Sequence, residues 1–479
     1  MSFASLTFLA FFTPVFIAYW SLRGRWRLGL LLAANYAFYA WWDHRLIWVL
    51  LASTALNFVC GQRIERAGSP AAKRAWLATS LVVSLGLLAW FKYYGFFADS
   101  FAAAAGALGW HVSPVVRRLV LPLGISYYTF QMLSYTLDIG RGVMKPTRSP
   151  LVFAAYASFF PHVVAGPITR ARDLVPQLER GATFDFQHVE IGLRRILLGL
   201  FKKLFVADTL AHYLVDPVFA APARHSTAML GLALVGYSIQ VYADFSGYSS
   251  MAIGVARLLG LKLPENFRFP YLALNISEFW RRWHISLSSW LRDYLWWPLA
   301  KDIPFGGGLV VRLRSLGALF LVFLLCGLWH GAAWTFVAWG ALHGTCIVTY
   351  EIWHRWREAR ASGPAAPRWV GVGAAWLTTQ AVLALSWALF RAGTFGAFVT
   401  YLRGLFLGTG TGTLTLPPLV WVALLALPVD HFAGWLLEHQ PRIRQRIPAT
   451  AQALVYTAMI VFLFHARLEQ PDPFIYFRF

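Results

Sequence analysis

Long uncharged runs separated by short basic clusters set the pattern of this chain. The first run, Met1 to Trp20, carries no charge and ends at Arg23, Arg25 and Arg27. Leu28 to Trp42, Leu46 to Cys60 and Ala75 to Tyr94 follow as further apolar stretches, with Arg63, Arg66, Lys73 and Arg74 between the last two. At about 20 residues per helical crossing, these lengths predict membrane-spanning helices. Basic loops stay on the cytoplasmic side, so the amino terminus is expected outside. The first run lacks the basic leader of a cleaved signal and reads as a retained span.

Beyond Phe96 the apolar runs are broken by glycine and proline. They cover Leu119 to Leu137, Leu151 to Ala165, Ile191 to Tyr213, Ala228 to Ala243, Leu316 to Tyr350, Trp369 to Phe390, Leu416 to Leu437 and Ala451 to Phe464. Broken segments suit re-entrant or tilted helices buried in a bundle. The expectation is an all-α polytopic membrane protein with roughly 11–13 spans plus re-entrant pieces. No internal repeat is seen. A single membrane domain is expected, with amino-terminal helices to residue 118, a chemically loaded region over 119–358 and carboxyl-terminal helices over 368–479. The Ala-, Gly- and Pro-rich stretch Ala359 to Pro367 divides the last two.

Composition agrees with that reading: 58% of the 479 residues are hydrophobic and only 13% charged. Lysine and arginine number 42 against 21 acids, a net charge of +21. In a membrane protein such an excess belongs to cytoplasmic loops, and nucleic acid is a poor explanation for it. The same loops would favour anionic lipid headgroups or a phosphate-bearing donor. Cys60, Cys326 and Cys346 lie in apolar segments and match neither a metal spacing nor a disulfide framework.

Two stretches carry chemistry. Asn275 to Pro298, NISEFWRRWHISLSSWLRDYLWWP, concentrates five charged residues, five tryptophans and His284. Asn275 reads as a helix cap, with Glu278 reaching back to the freed backbone donors. On one continuous helix Glu278 would meet Arg281 and Arg282, and Trp280, His284 and Ser288 would share a face. An amphipathic helix at the membrane surface, with tryptophans at headgroup depth, fits the same pattern. The second stretch, Leu316 to Tyr350, runs for thirty-five residues without Asp, Glu, Lys or Arg yet holds His330 and His343. It is too long for one perpendicular span, so a break near Trp329-His330-Gly331 is expected to bury His330. An ionisable group at that depth is a candidate functional residue; a histidine satisfied by a helix carbonyl is the bland alternative. Packing is the simpler role for His343. A neutral imidazole without water or carboxylate can take a proton from a hydroxyl nucleophile. No metal-ligand set, phosphate loop or Gly-x-Ser-x-Gly elbow accompanies it.

Six motifs in order carry a family resemblance: PLGISYYTFQ (Pro122 to Gln131), FFPHVVAGPI (Phe159 to Ile168), DFSGYSSMAIG (Asp244 to Gly254), ENFRFPY (Glu265 to Tyr271), EFWRRWHISLSSWLRDYLWWP and GLWHGAAWTF (Gly327 to Phe336). The chain resembles the membrane-bound O-acyltransferases, above all the bacterial branch that acetylates exported polysaccharides, and more distantly the members that transfer D-alanine. His162, where many members carry Gln or a small polar residue, and Arg478 depart from the pattern. The resemblance implies a helical ring around a funnel or tunnel in the bacterial inner membrane. It implies His330 as general base and His284 as the residue that orients the acyl donor or polarises its thioester carbonyl. Donor binding falls to Arg281, Arg282, Arg292, Asn266 and Trp329, and Asp293 is expected to pair with one of the arginines.

By the same resemblance the donor is acetyl-CoA or another acyl thioester, and no permanently bound cofactor or metal is implied. An extracytoplasmic transferase partner and a polysaccharide acceptor complete the system. The aromatic tail Asp472 to Phe479 is expected to dock, and its Tyr476 hydroxyl is a candidate acyl carrier. D-alanyl transfer to a teichoic-acid-like polymer is the alternative within the class. A transporter or flippase for a lipid-linked sugar is the alternative outside it.

Overall fold

The computed structural model describes residues 1–110, 120–300, 308–359, 368–408 and 410–465. These fold almost entirely as helix, and no strand forms among them; a single isolated bridge joins His225 and Gly412. Six helical stretches are long and apolar enough to cross a membrane: Gly24–Arg66, Pro70–Ala107, Thr227–Leu258, Arg312–His330, Gly371–Arg391 and Pro418–His439. Leu6–Ser21, Phe395–Leu407 and Ala449–Phe464 are shorter apolar helices. On Pro418–His439, Leu425, Val429 and Phe432 are exposed at spacings of four and three, a stripe suited to lipid.

The chain divides into two compact units, residues 1–196 with 252–264, and residues 197–251 with 265–479. The first unit contains helices α1 (Leu6–Ser21), α2 (Gly24–Asp43), α3 (Ile47–Arg66), α4 (Pro70–Leu88), α5 (Tyr94–Ala107), α6 (Ile125–Gly140), α7 (Pro150–Ala157), α8 (Phe160–Val163) and α9 (Ala171–Arg180). Its interior is knit by side-chain polar groups. The Asn57 amide donates to Ser84 Oγ at 3.1 Å and accepts from Ser80 Oγ at 2.8 Å, tying α3 to α4. Ser80 also lies 2.8 Å from Thr136 Oγ1 on α6.

The broken run over Leu151 to Ala165 folds as two short helices, α7 and α8, in keeping with its interrupted pattern. The reason is local. Pro161 has no backbone N–H to continue a helix from Ala157. Asn35 of α2 meets the exposed backbone, accepting from Phe160 N at 3.1 Å and donating to Ala155 O at 3.2 Å. Gly124 precedes α6 with φ 66°, and a β-carbon there would overlap the Val163 carbonyl. The Pro122–Ile168 motifs thus encode a tightly packed corner within this unit. His162 sits in it, fully buried, with Nε2 3.0 Å from Tyr156 O.

The second unit holds the other chemistry-bearing motifs. Helix α10 (Phe186–Leu200) enters it and continues as a π-helical segment, Phe201–Ala207, followed by α11 (Asp208–Leu210) and α12 (Asp216–Ala220). Helix α13 (Thr227–Leu258) lies close by. A β-carbon on Gly199 would come within 2.6 Å of Gly247 O, so only glycine allows this approach. The close packing lets Lys203 Nζ reach Asp244 Oδ1 at 2.9 Å and Asp208 Oδ1 at 2.8 Å, all three being buried. The Asp244 of DFSGYSS is therefore an ion-pair partner inside the fold.

The remaining helices are α14 (Ile276–Arg282), α15 (Ile285–Leu291), α16 (Trp297–Ala300), α17 (Gly308–His330), α18 (Trp334–Ala359), α19 (Arg368–Arg391), α20 (Phe395–Leu407), α21 (Pro418–His439), α22 (Pro441–Arg446) and α23 (Ala449–His465). The uncharged run over Leu316 to Tyr350 breaks where expected, α17 ending at His330 and α18 starting at Trp334. The two helices pack tightly, because a β-carbon on Gly327 would stand 2.9 Å from Gly340 Cα. The dividing stretch at 360–367 and the tail with Tyr476 and Arg478 lie outside the described residues.

Candidate active site

Asn275 caps α14 as its sequence predicts, its Oδ1 accepting from Glu278 N at 2.8 Å, while Glu278 Oε2 accepts from Leu274 N at 2.9 Å. Glu278 Oε1 also pairs with Arg282 at 2.6 Å. The continuous helix expected through His284 is not present. Helix α14 ends at Arg282, Trp283 is extended, and His284 has φ 42° and ψ 53°, a left-handed conformation that begins α15. Trp280, His284 and Ser288 therefore do not form one helical face. Only Phe269 and His284 adopt positive φ among the described non-glycine residues. Such a conformation costs about 1–3 kcal/mol and has to be held by its surroundings.

Asn266 does that holding. Its backbone carbonyl accepts from Ile285 N at 2.9 Å. Its Oδ1 lies 3.2 Å from Ser286 N, 2.8 Å from Ser286 Oγ and 3.1 Å from His284 Nδ1. Its Nδ2 donates to Ser249 Oγ on α13 at 3.1 Å. The His284 ring meets Phe245 edge-on at 4.6 Å. Neither α14 nor α15, at seven residues each, can span a membrane, and burial between them pushes the His284 pKa down to about 3. The imidazole is neutral at ordinary pH.

From His284 a chain of rings leads to the second histidine. Trp329 lies 6.0 Å from His284 and 5.0 Å from His330, ring centre to ring centre. His330 is 6% exposed and also contacts Trp339 at 5.0 Å and Phe390 at 5.5 Å. Trp339 packs in turn on His343 at 4.4 Å, and His343 Nδ1 accepts from Trp280 Nε1 at 3.2 Å. His343 thus fastens α18 to α14, a packing role with a specific partner. Asn266, His284, Trp329 and His330 thus follow one another through a hydrogen bond and ring contacts, with an imidazole on either side of the Trp329 ring.

The three arginines are committed to neighbours on their own segments. Arg281 donates to Ser277 Oγ at 3.1 Å, Arg282 binds Glu278, and Arg292 pairs with Asp293 at 2.8 Å, the partner expected for that acid. Arg281 and Arg292 are exposed. Sequence reasoning missed Ser249, Ser286 and the ring contacts from Phe245, Trp339 and Phe390. The serines lay inside motifs already singled out, but nothing in their spacing aims them at Asn266. Among the described residues no group of three or more potential metal ligands comes together.

Two buried histidines flank Trp329 in a chain whose described residues include six helical stretches long and apolar enough to cross a membrane, which defines a polytopic membrane protein. The chain belongs to the membrane-bound O-acyltransferase family, whose sequence model matches residues 143–380. It is 41% identical to the "Probable alginate O-acetylase" of Azotobacter vinelandii over 82% of this chain and 75% of that protein. It is 34% identical to the "Peptidoglycan O-acetyltransferase" of Helicobacter pylori over 83% of this chain and 78% of that protein. Identity to the "Teichoic acid D-alanyltransferase" of Bacillus subtilis is 31%, over 50% of this chain and 62% of the relative. The protein is accordingly a multi-pass membrane O-acyltransferase, and the transporter alternative falls away.

Proposed function

We propose that the protein acetylates hydroxyl groups of an exported polysaccharide, drawing acetyl from a cytoplasmic thioester, acetyl-CoA, across the bacterial inner membrane. The observation that carries this reading is the pair of buried imidazoles on either side of Trp329, in a chain whose acetyl-transferring relatives match over most of their length. In the proposed step the His330 imidazole takes the proton of a hydroxyl as its oxygen attacks the thioester carbonyl. The tetrahedral intermediate then expels the thiolate, which recovers that proton from the imidazolium. One ester forms, one thioester breaks, and His330 returns neutral.

His284 orients the reactants from the other face of Trp329. Arg281, Arg282 and Arg292 retain guanidinium N–H groups beyond those their partners use, and these would meet the phosphates of the donor. Tyr476 would serve as an intermediate acyl acceptor, its ester then passing to an extracytoplasmic partner that completes transfer to the glycan. D-alanyl transfer draws on a relative matched over half the chain, so acetyl is the favoured group.

Purified protein in lipid nanodiscs, supplied with labelled acetyl-CoA or with a D-alanyl carrier protein, tests the choice of donor. Acetyl-CoA turnover that depends on His330 supports the proposal. Turnover of the D-alanyl thioester alone would overturn it.

A further inference from the structure

The hydrogen bonds around Asn266 fix a detail that ring positions alone leave open. The backbone N–H of Ser286 can only donate, so the Asn266 atom facing it at 3.2 Å is the carbonyl oxygen. The other side of that amide, Nδ2, then faces Ser249 Oγ. Because His284 Nδ1 approaches the same oxygen at 3.1 Å, Nδ1 must carry a hydrogen. A neutral imidazole has one N–H, and here it is spent on Asn266. Nε2 is left with a lone pair. That atom is buried and has no hydrogen-bond partner among the described residues, on a side chain with 0% exposure. A buried acceptor without a partner is unfavourable, and a bound group that donates to it relieves that cost.

We infer that Asn266 is a positioning residue that locks His284 in the Nδ1–H tautomer, so that His284 Nε2 accepts a hydrogen bond from an O–H or N–H group of the substrate. The inference rests on the acyl-transfer reading above and revises one expectation from the sequence. Polarising a thioester carbonyl requires a donor at Nε2, and this tautomer offers none. Two substrate groups have the required chemistry: the acceptor's hydroxyl and an amide N–H on the pantetheine arm of the thioester. The left-handed backbone at His284 belongs to the same device, since Ile285 N and Ser286 N both turn back onto Asn266.

The test is nitrogen-15 magnetic resonance of histidine-labelled full-length protein in lipid bilayers, with the His284 signals assigned by their loss in His284→Asn. The expected spectrum has a protonated Nδ1 and a bare Nε2. In Asn266→Leu the lock is gone, and a second population protonated at Nε2 should appear, with kcat for acetyl transfer falling at least about tenfold. Asn266→Asp keeps the accepting oxygen and should retain the wild-type tautomer with most of the rate. Addition of acetyl-CoA alone or of alginate oligosaccharide alone should shift the Nε2 signal toward the hydrogen-bonded position, and the ligand that does so identifies the source of the donor group. A wild-type ring protonated at Nε2, or an Nε2 signal that neither ligand moves, would overturn the inference. The expected tautomer in a protein that turns over no acetyl thioester would instead overturn the functional reading while leaving the tautomer assignment standing.

Discussion

Replacing Lys203 by methionine should be among the most damaging single changes in the second unit. Its amine lies 2.8 Å from Asp208 and 2.9 Å from Asp244, and the three side chains are 7%, 3% and 4% exposed. Methionine fills similar volume but leaves two carboxylates buried with their shared cation removed. Breaking a buried ion pair from one side costs about 3–5 kcal/mol, because the stranded charge keeps its desolvation penalty without its attraction. Neutralising the acids together with the lysine removes that penalty. The triple variant Lys203→Met, Asp208→Asn, Asp244→Asn should therefore recover most of the loss, and the pairwise couplings follow from the intermediate variants. Unfolding of purified protein by sodium dodecyl sulfate in mixed micelles, followed by tryptophan fluorescence, measures the series. A Lys203→Met protein as stable as wild type, or a triple variant less stable than Lys203→Met alone, would refute the reasoning.

Other substitutions test neighbouring parts of the account. Asn57→Leu removes the amide linking α3 to α4, leaving Ser84 without it and Ser80 with Thr136 alone, with an expected loss of about 1–2 kcal/mol in the same unfolding assay. Gly327→Val pushes a side chain against Gly340 and should cost about 1–3 kcal/mol or more, while disturbing Trp329 and His330 enough to lower turnover of acetyl-CoA. The depressed pKa of His284 has a stability consequence with a definite sign. Between the unfolded value of about 6.5 and the folded value of about 3, the unfolded chain binds the extra proton, so stability falls as pH falls. The slope is about 1.4 kcal/mol per pH unit below about pH 6. His284→Asn, which also tolerates left-handed backbone, should flatten the difference when the two proteins are unfolded at matched pH.

The uncharged runs made the helical membrane class legible because water-free surroundings leave backbone groups few alternatives to helix. They marked α2, α3 and α4 well, and they marked the break after His330 because thirty-five uncharged residues exceed one crossing. Asn275 and Glu278 were legible too, since capping is a local interaction. What failed was the continuation through His284. Periodicity assumes one backbone conformation, and no pattern of side chains announced that a loop residue eighteen positions earlier, Asn266, would hold His284 in left-handed geometry. The role of Asp244 was hidden for the same reason: its partner Lys203 comes from another helix, admitted by the Gly199 contact. The pairings of Arg282 with Glu278 and of Arg292 with Asp293 were legible from spacing along the chain, whereas the bond from Arg281 to Ser277 was not.

The central claim is acyl transfer with His330 as the base. Its most direct test is acetyl transfer from labelled acetyl-CoA by the full-length protein in nanodiscs, comparing wild type with His330→Ala and Tyr476→Phe. General-base loss predicts a fall of about 10²–10⁴-fold in kcat for His330→Ala, and loss of label on the polypeptide in both variants if Tyr476 carries the acyl group. A His330→Ala protein that turns over acetyl-CoA at the wild-type rate would contradict the account.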